Sequence, residues 1–328
     1  GGASHAGILV KGSNYLERLA DVEIIAFDKT GTLTEGCFDV QEIVTKGNLT
    51  KDELLFYAAV AELDSLHPIA ESLQRAYGKE ILRSDVENIR EVAGRGIIAD
   101  IKGHNVLVGS ARLLEDQGIS FSLADSFGTV VYIAVDGIYA GYIAIADRIK
   151  NNAKDTIDGL RRIGVQQMVM LSGDRKENAQ RVGDSLGLDG VLAELLPEDK
   201  VNGLNELFKS LKQGGSLVYV GDGLNDAPVL ARAGGGVAMG GIGSDAAIEA
   251  ADVVLMDDEP GKLITAIKIA KKTKGICWQN IVSAIGIKVL VMILGAVGIA
   301  SLWAAVFADV GVAIIAVINA TRMLWGKN

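Results

Sequence analysis

The chain has 328 residues, a formal net charge of −9 and a hydrophobic content of 49%. This length allows two or three domains, each with a core of its own. The acidic balance argues against a nucleic-acid partner, which requires a basic surface. The hydrophobic content is high for a soluble protein and predicts a membrane part.

The cysteines and the N-terminal residues indicate the cellular compartment. Cys37 and Cys277 are far apart and form no CxxC pair. They therefore predict neither a disulfide framework nor a zinc site, and a reducing compartment is expected. The first residues, GGASHAGILVKGS, lack the charged start and long apolar core of a signal peptide.

The first predicted strand, EIIAFD, ends on a carboxylate at Asp28. The turn after it, KTGTLTEG, consists mainly of small hydroxylated residues and glycine. A glycine-containing turn lets backbone N–H groups converge on an anion. The strand end therefore predicts a site that holds a negatively charged group.

Residues 37–140 differ in character from the sequence on either side. They contain a helical pattern, KDELLFYAAVAEL, and strand-like pieces such as IIADIKG and NVLVG that turns connect. We interpret this segment as an inserted α+β domain.

The strands YIAIADR, QMVMLSGD, SLVYVGDG and DVVLM continue the pattern of EIIAFD. Their alternation with helical segments predicts an α/β fold with a doubly wound parallel sheet. The carboxyl ends of these strands carry Asp28, Asp174 and Asp222. Ligands of open α/β sheets bind outside those ends.

Two apolar runs close the chain, at residues 281–303 and 304–320. About twenty apolar residues span a bilayer as a helix, so we predict a transmembrane hairpin with almost no loop. Each run has one charge, Lys288 in the first and Asp309 in the second. Lysines before the first run and Arg322 after the second place both ends in the cytoplasm by the positive-inside rule.

Four motifs occur in order at predicted strand ends or helix starts: DKTGTLT, LSGD, PEDK and GDGLNDAP. Together they resemble the P-type ATPases, which are cation pumps built on the haloacid-dehalogenase fold. The resemblance extends over nearly the whole chain. It implies ATP as substrate, Mg²⁺ as cofactor and a cytoplasmic catalytic part on an integral protein of the plasma or inner membrane.

The resemblance implies a role for each residue of the first motif. Asp28 is expected to attack the γ-phosphate of ATP and become an aspartyl phosphate. Related phosphatases carry a second Asp where this chain has Thr30, and its absence is expected to let the phosphoenzyme persist. Lys29 is either a solvated strand-end residue or a group that screens phosphate charge. Asp222 is expected to bind Mg²⁺ together with Asp28 and the Thr30 carbonyl.

The remaining motifs are expected to complete the site. Asp226 and Asn225 would hold the metal site in shape. Ser172, with Asp174 close behind it, would offer a hydroxyl to a phosphoryl oxygen, and Lys200 would neutralise charge on the transferring group. The ordinary alternative for aspartates at strand ends is helix capping, and a lone lysine at a helix start is usually a surface residue.

Within the insertion, SLHPIA and GRGI resemble the nucleotide-domain signature of the heavy-metal branch. His67 is expected to pack against adenine with Glu62 nearby. Gly94 and Gly96 are expected to let the backbone approach the nucleotide. A histidine or a GxG motif alone is a weak indication of nucleotide binding, and it is their combination in this scaffold that favours it.

Lys288 and the Asp309-Val-Gly sequence resemble the zinc-, cadmium- and lead-exporting subgroup and not the copper or cobalt exporters. A charge inside an apolar span is a functional candidate. Lys288 would pair with Asp309 when no ion is bound. Alternatively, the pair only holds the hairpin together, or Lys288 reaches toward the membrane surface.

The predicted domains are a phosphorylation domain at 1–36 and 141–262, a nucleotide-binding domain at 37–140, and a helix leading into two membrane spans at 263–328. The resemblance implies that six earlier spans and an actuator domain belong to a preceding half, an expected partner. The other expected partners are ATP, a divalent heavy-metal ion and the lipid bilayer.

Two other functions stay open. The chain could be a membrane-anchored phosphatase of small phosphoesters, against which Thr30 and SLHPIA argue. It could also be a partner subunit without catalysis, against which the intact Asp28, Lys200 and Asp222 argue.

Overall fold

The structure, a computed structural model, describes residues 2–65, 67–124, 126, 128–222, 226–240, 245–299 and 301–325. The strands in this part of the chain are β1 (Ile8–Val10), β2 (Val22–Asp28), β3 (Thr34–Thr45), β4 (Val86–Val92), β5 (Gly96–Ile101), β6 (His104–Gly109), β7 (Thr129–Val135), β8 (Ile138–Ile149), β9 (Gln167–Leu171), β10 (Gly190–Leu192), β11 (Ser216–Gly221), β12 (Gly235–Met239) and β13 (Val253–Leu255). The α-helices are α1 (Gly2–His5), α2 (Ser13–Ala20), α3 (Lys51–Ala61), α4 (Pro68–Tyr77), α5 (Ala111–Asp116), α6 (Ala153–Arg162), α7 (Lys176–Leu186), α8 (Pro197–Lys209), α9 (Ala227–Arg232), α10 (Asp245–Ala250), α11 (Lys262–Ala296) and α12 (Leu302–Trp325).

The chain divides into two compact units, one of residues 1–33 and 151–328 and the other of residues 34–150. The prediction put the insertion at 37–140. The structure assigns a longer segment to the second unit because β3 and β8 pair with each other along most of their lengths. Which unit performs which function stays a prediction.

The first unit contains a sheet in which the described strands have the order β1-β13-β12-β11-β2-β9-β10. Its pairings are parallel except at the edge, where β1 runs antiparallel to β13. Every residue of the central strand β2 is buried, as expected for a strand covered on both faces. The predicted doubly wound α/β sheet is confirmed, and the antiparallel edge strand is an addition to it.

The second unit contains an antiparallel sheet whose described strands have the order β3-β8-β7-β6-β5-β4. The strand YIAIADR lies here, within β8, so its predicted place in the parallel sheet was wrong. An Asp-Gly turn joins β7 to β8, with positive φ at Asp136 and Gly137. This turn makes the two strands a hairpin, which excludes β8 from a parallel crossover.

Helix starts in the second unit follow local capping rules. Thr50 Oγ1 accepts a hydrogen bond from the Glu53 N–H, and Glu53 accepts one from the Thr50 N–H. This reciprocal pair fixes the start of α3. At α4, His67 Nδ1 accepts from the Ile69 N–H at 3.2 Å, and Pro68 occupies the first helical position.

Helices α11 and α12 are long and apolar enough to cross a membrane, judged by length and composition. In the most apolar part of each helix only 6% of the residues are buried. The predicted helix that leads into the first span and the span itself form one unbroken helix, α11, from Lys262 to Ala296. The boundary between the two spans was predicted at residue 303. In the structure the turn between the helices begins earlier, after Ala296.

The first part of α11 belongs to the core of the first unit. Leu263, Ile267 and Ala270 are buried there, and the side chain of Lys274 pairs with Asp21. The helix thus continues from the body of the sheet into the apolar hairpin.

Candidate active site

The carboxyl ends of β2, β9 and β11 meet at one edge of the parallel sheet. A cavity of about 310 Å³ opens there. Its lining contains seven of the residues that the sequence predicted for phosphoryl transfer and Mg²⁺ binding, namely Asp28, Thr30, Ser172, Asp174, Lys200, Asp222 and Asp226. Asn225 lies outside the described residues.

The turn after Asp28 allows two strand ends to approach each other. Gly31 has φ of 72°, a conformation that residues with side chains rarely adopt. A Cβ atom at this position would lie 2.4 Å from Asp222 Oδ2. Glycine is therefore required at residue 31 for the Asp222 carboxylate to sit beside the Asp28 turn.

Lys200 is a positively charged residue in the lining of the cavity. Its Nζ donates to Asp28 Oδ1 at 2.5 Å and to Asp226 Oδ1 at 2.8 Å. Burial lowers the pKa of Lys200, but attraction to Asp28 and Asp226 outweighs it, so its pKa lies above the ordinary value. The lysine is therefore charged at neutral pH and bridges two carboxylates.

Three buried carboxylates lie close together in this cavity. Oxygen atoms of Asp28, Asp222 and Asp226 all lie within 4.8 Å of one another. Burial, and then repulsion by Asp226, raises the pKa of Asp28 to about 7 although Lys200 opposes the change. A divalent cation would offset this repulsion, and an all-oxygen donor set suits Mg²⁺. The residues present therefore fit the implied metal, with the Thr30 carbonyl as a further predicted ligand.

Ser172 and Asp174 form a second polar group beside the nucleophile. Ser172 Oγ accepts a hydrogen bond from the Asp174 N–H at 3.1 Å, and Lys29 Nζ lies 2.6 Å from Asp174 Oδ2. Lys29 is only 7% exposed, so its interpretation as a solvated strand-end residue was wrong. Sequence reasoning missed this ion pair, because the two residues are separated by the whole inserted unit.

In the second unit, Glu62 and His67 lie close together around the α3–α4 connection. The His67 N–H donates to Ser65 Oγ at 3.3 Å, and burial raises the pKa of Glu62. His67 lowers the pKa of the Glu62 carboxyl, and the negative charge of Glu91 raises it. Helix α3 contacts β4, and the β4–β5 turn with Gly94 and Gly96 follows β4 directly.

The two glycines of that turn have different constraints. Gly96 has φ of 144°, and a Cβ atom there would lie 2.2 Å from the Val108 carbonyl oxygen. Gly94 has φ of 69°, with no atom of the described residues within 4 Å of an added Cβ. Gly96 thus lets β5 and β6 pair closely, whereas Gly94 needs only its backbone conformation.

We expect Gly96→Ala to lower the free energy of unfolding of the second unit by about 3 kcal/mol or more, because backbone atoms must move apart. Gly94→Ala should cost about 1 kcal/mol, the penalty of a left-handed conformation alone. Urea unfolding of both variants measures the difference. Equal losses would contradict the close approach at Gly96.

His67 has both a capping contact and a predicted contact with adenine, and two substitutions separate them. His67→Ala should lower the free energy of unfolding by about 1 kcal/mol, whereas His67→Asn keeps a capping acceptor. Both should weaken binding of a non-hydrolysable ATP analogue by about threefold to tenfold, the worth of an aromatic stacking contact. Calorimetric titration gives the affinity. Unchanged affinity in both variants would remove His67 from the nucleotide site.

In the apolar hairpin, Lys288 Nζ lies 2.7 Å from Asp309 Oδ1. The expected ion pair is therefore present between α11 and α12. Its role in ion transport stays a prediction. Nearer the start of α11, Asn280 donates to the Ala316 carbonyl and accepts from Asn319. These hydrogen bonds join α11 to α12, as the Lys288–Asp309 ion pair does.

Comparison with known proteins gives one family and a consistent set of relatives. Residues 22–234 match the sequence profile of the haloacid dehalogenase-like hydrolases. The chain is 52% identical over its full length to a cadmium, zinc and cobalt-transporting ATPase of Bacillus subtilis, and covers 47% of that protein. It is also 52% identical over 98% of its length to a zinc-transporting ATPase of Synechocystis, and covers 45% of it.

Solved structures agree with these relatives. The crystal structure of a zinc-transporting PIB-type ATPase in the E2.Pi state superposes with a TM-score of 0.86 at 35% identity. The match covers 98% of this chain and 53% of the other. The chain thus spans about half the length of the proteins it matches.

Proposed function

The chain belongs to the haloacid dehalogenase-like hydrolase family, and from that membership we propose that it is the catalytic part of a P-type ATPase that exports zinc or cadmium. The main support is the buried cluster of Asp28, Lys200, Asp222 and Asp226 at the sheet edge. The names of the relatives support the same proposal. They give no support to a phosphatase of small phosphoesters.

In the proposed reaction, a carboxylate oxygen of Asp28 attacks the γ-phosphorus of ATP. An Asp28–phosphorus bond forms, the bond from phosphorus to the bridging oxygen breaks, and ADP leaves with that electron pair. Lys200 already donates to Asp28. During the transfer its ammonium group would turn to the phosphoryl oxygens and stabilise their negative charge. The Ser172 hydroxyl can donate to a phosphoryl oxygen while it accepts from Asp174.

Mg²⁺, held by Asp28, Asp222 and the Thr30 carbonyl with Asp226 beside them, would add positive charge next to the phosphoryl oxygens. Thr30 has no carboxylate, so the turn lacks an acid and base two residues after the nucleophile. The aspartyl phosphate is therefore expected to persist. A persistent intermediate suits a pump that changes conformation between phosphorylation and hydrolysis.

The test is acid-quenched phosphorylation of the detergent-solubilised chain with Mg²⁺ and ATP. Label from γ-labelled ATP that hydroxylamine removes, with none from α-labelled ATP, is the expected result. Hydrolysis of p-nitrophenyl phosphate with no label from ATP would favour the phosphatase. Absence of label, of hydrolysis and of ATP binding would favour the partner subunit.

We place α11 and α12 across a membrane, with the two catalytic units in the cytoplasm. The apolar, exposed surfaces of both helices support this location. Zinc, cadmium and lead are the proposed ions, and cobalt is a further ion to test because the names of three relatives include it. The chain is expected to act with segments equivalent to the other half of its relatives.

Asp309 is expected to be the ion ligand, and Lys288 its counter-ion in the empty site. Asp309→Asn should weaken Cd²⁺ binding by about tenfold or more, whereas Lys288→Ala should preserve or strengthen it by removing a competing charge. Equilibrium dialysis with Cd²⁺ measures both, with Asp158→Asn at an exposed site as the control. Equal binding by Asp309→Asn and the control would contradict this assignment.

A further inference from the structure

Tyr219 is a buried polar residue in the middle of β11 with no role in the proposed reaction. Its side chain is fully buried, and its hydroxyl donates to Asp226 Oδ2 at 2.8 Å. Burial, together with the nearby Asp28 and Asp226, raises the pKa of Tyr219 well above its usual range. The hydroxyl therefore keeps its proton and acts as a donor to the carboxylate.

Gly221 provides the space for this hydrogen bond. It lies two residues after Tyr219, on the same side of the strand. A Cβ atom at residue 221 would lie 3.0 Å from Tyr219 Cε1 and 3.3 Å from Asp226 Oδ2. Both distances are shorter than ordinary van der Waals contact. The glycine of the GDG motif thus allows the ring and the carboxylate to meet.

The two oxygens of Asp226 have different partners. Oδ1 accepts from Lys200, which also donates to Asp28, and Oδ2 accepts from Tyr219. Lys200 is shared with the nucleophile, and in the proposed reaction its charge moves toward the phosphoryl group. The hydrogen bond to Tyr219 does not depend on that movement, because the ring is fixed in the core of the sheet.

We propose that Tyr219 is a positioning residue, which holds the Asp226 carboxylate in the orientation that the metal cluster and Lys200 require. The inference rests on the proposed function, since it assigns the Asp28, Asp222 and Asp226 cluster to a divalent cation. Tyr219 acts only through Asp226 and does not itself contact substrate.

The test is the affinity for Mn²⁺, an ion with the same preference for oxygen ligands, followed by its paramagnetic resonance signal. The site is defined as the binding that Asp222→Asn removes. Tyr219→Phe, which removes only the hydroxyl, should raise the dissociation constant about tenfold, as expected for a hydrogen bond to a charged group. In a chain that carries Asp226→Ala, Tyr219→Phe should have no further effect, because its partner is already gone.

Val220→Ala is the matched control for stability. Val220 is fully buried on the same strand but points to the opposite face of the sheet. The Val220→Ala substitution should lower the melting temperature and leave the Mn²⁺ dissociation constant unchanged. A wild-type Mn²⁺ dissociation constant in Tyr219→Phe would overturn the inference. So would a Tyr219→Phe effect on that constant that is the same in the wild-type chain and in the Asp226→Ala chain. A wild-type chain that binds Mn²⁺ but takes no label from ATP would overturn the proposed function instead.

Discussion

Asp28→Asn is expected to reduce acid-stable labelling from γ-labelled ATP by more than about 1000-fold, because an amide is not a nucleophile toward phosphorus. Asparagine has the same shape, and its oxygen can still accept from Lys200. The substitution also removes a buried charge that Asp226 repels. The variant should therefore fold normally and bind ATP as the wild type does.

Asp158→Asn makes the same chemical change at an exposed position of the same unit. This control should be labelled at the wild-type level. Labelling of Asp28→Asn at a comparable level would show that another residue accepts the phosphoryl group. Loss of ATP binding in Asp28→Asn would show that the variant fails before the chemical step.

Lys200→Ala is expected to have two large effects. The rate of phosphorylation should fall by about 100- to 1000-fold, the cost of removing one preorganised charge from the reacting group. The free energy of unfolding should fall by about 3–5 kcal/mol, because Asp28 and Asp226 lose the cation that they share in a buried site. Rapid-quench labelling and urea unfolding measure the two effects separately.

Lys209→Ala is the matched control, since Lys209 lies on the same helix and its side chain is exposed. The pair that it forms with Glu206 is at the surface and should contribute less than about 1 kcal/mol. A labelling rate for Lys200→Ala equal to that of Lys209→Ala would exclude Lys200 from the reaction.

The candidate active site was largely predictable from local sequence, because strands that run parallel bring their carboxyl ends to one edge. Asp28, Ser172 and Asp222 each follow an apolar run, and the structure places all three in one cavity. Gly31 was predicted as a turn residue. Its close approach to Asp222 depends on the distance between two strands, which the sequence does not specify.

The partners of Lys29 and Asp226 could not be predicted. Lys29 pairs with Asp174, and Tyr219 donates to Asp226 through a space left by Gly221. Such contacts depend on side-chain directions after the sheet is assembled. A buried tyrosine in a core strand is the one local signal, since its hydroxyl requires a partner.

The misplaced strand YIAIADR had a detectable signal. Asp136 and Gly137 separate two apolar runs by two residues, the pattern of a tight hairpin turn. That pattern favours antiparallel pairing of β7 with β8 over a parallel crossover. In contrast, the uninterrupted α11 could not be predicted from periodicity alone. Its first turns bury one face, whereas its last turns are exposed except for one half-buried stripe.

The measurement that tests the central claim most directly is the chemical identification of the phosphorylated residue. The chain is incubated with ATP and Mg²⁺, denatured, and reduced with borohydride, which converts an aspartyl phosphate to homoserine. Peptide mass spectrometry should then find homoserine at position 28 only after incubation with ATP. Homoserine at another aspartate, or an unmodified Asp28 in protein that carries label, would contradict the account.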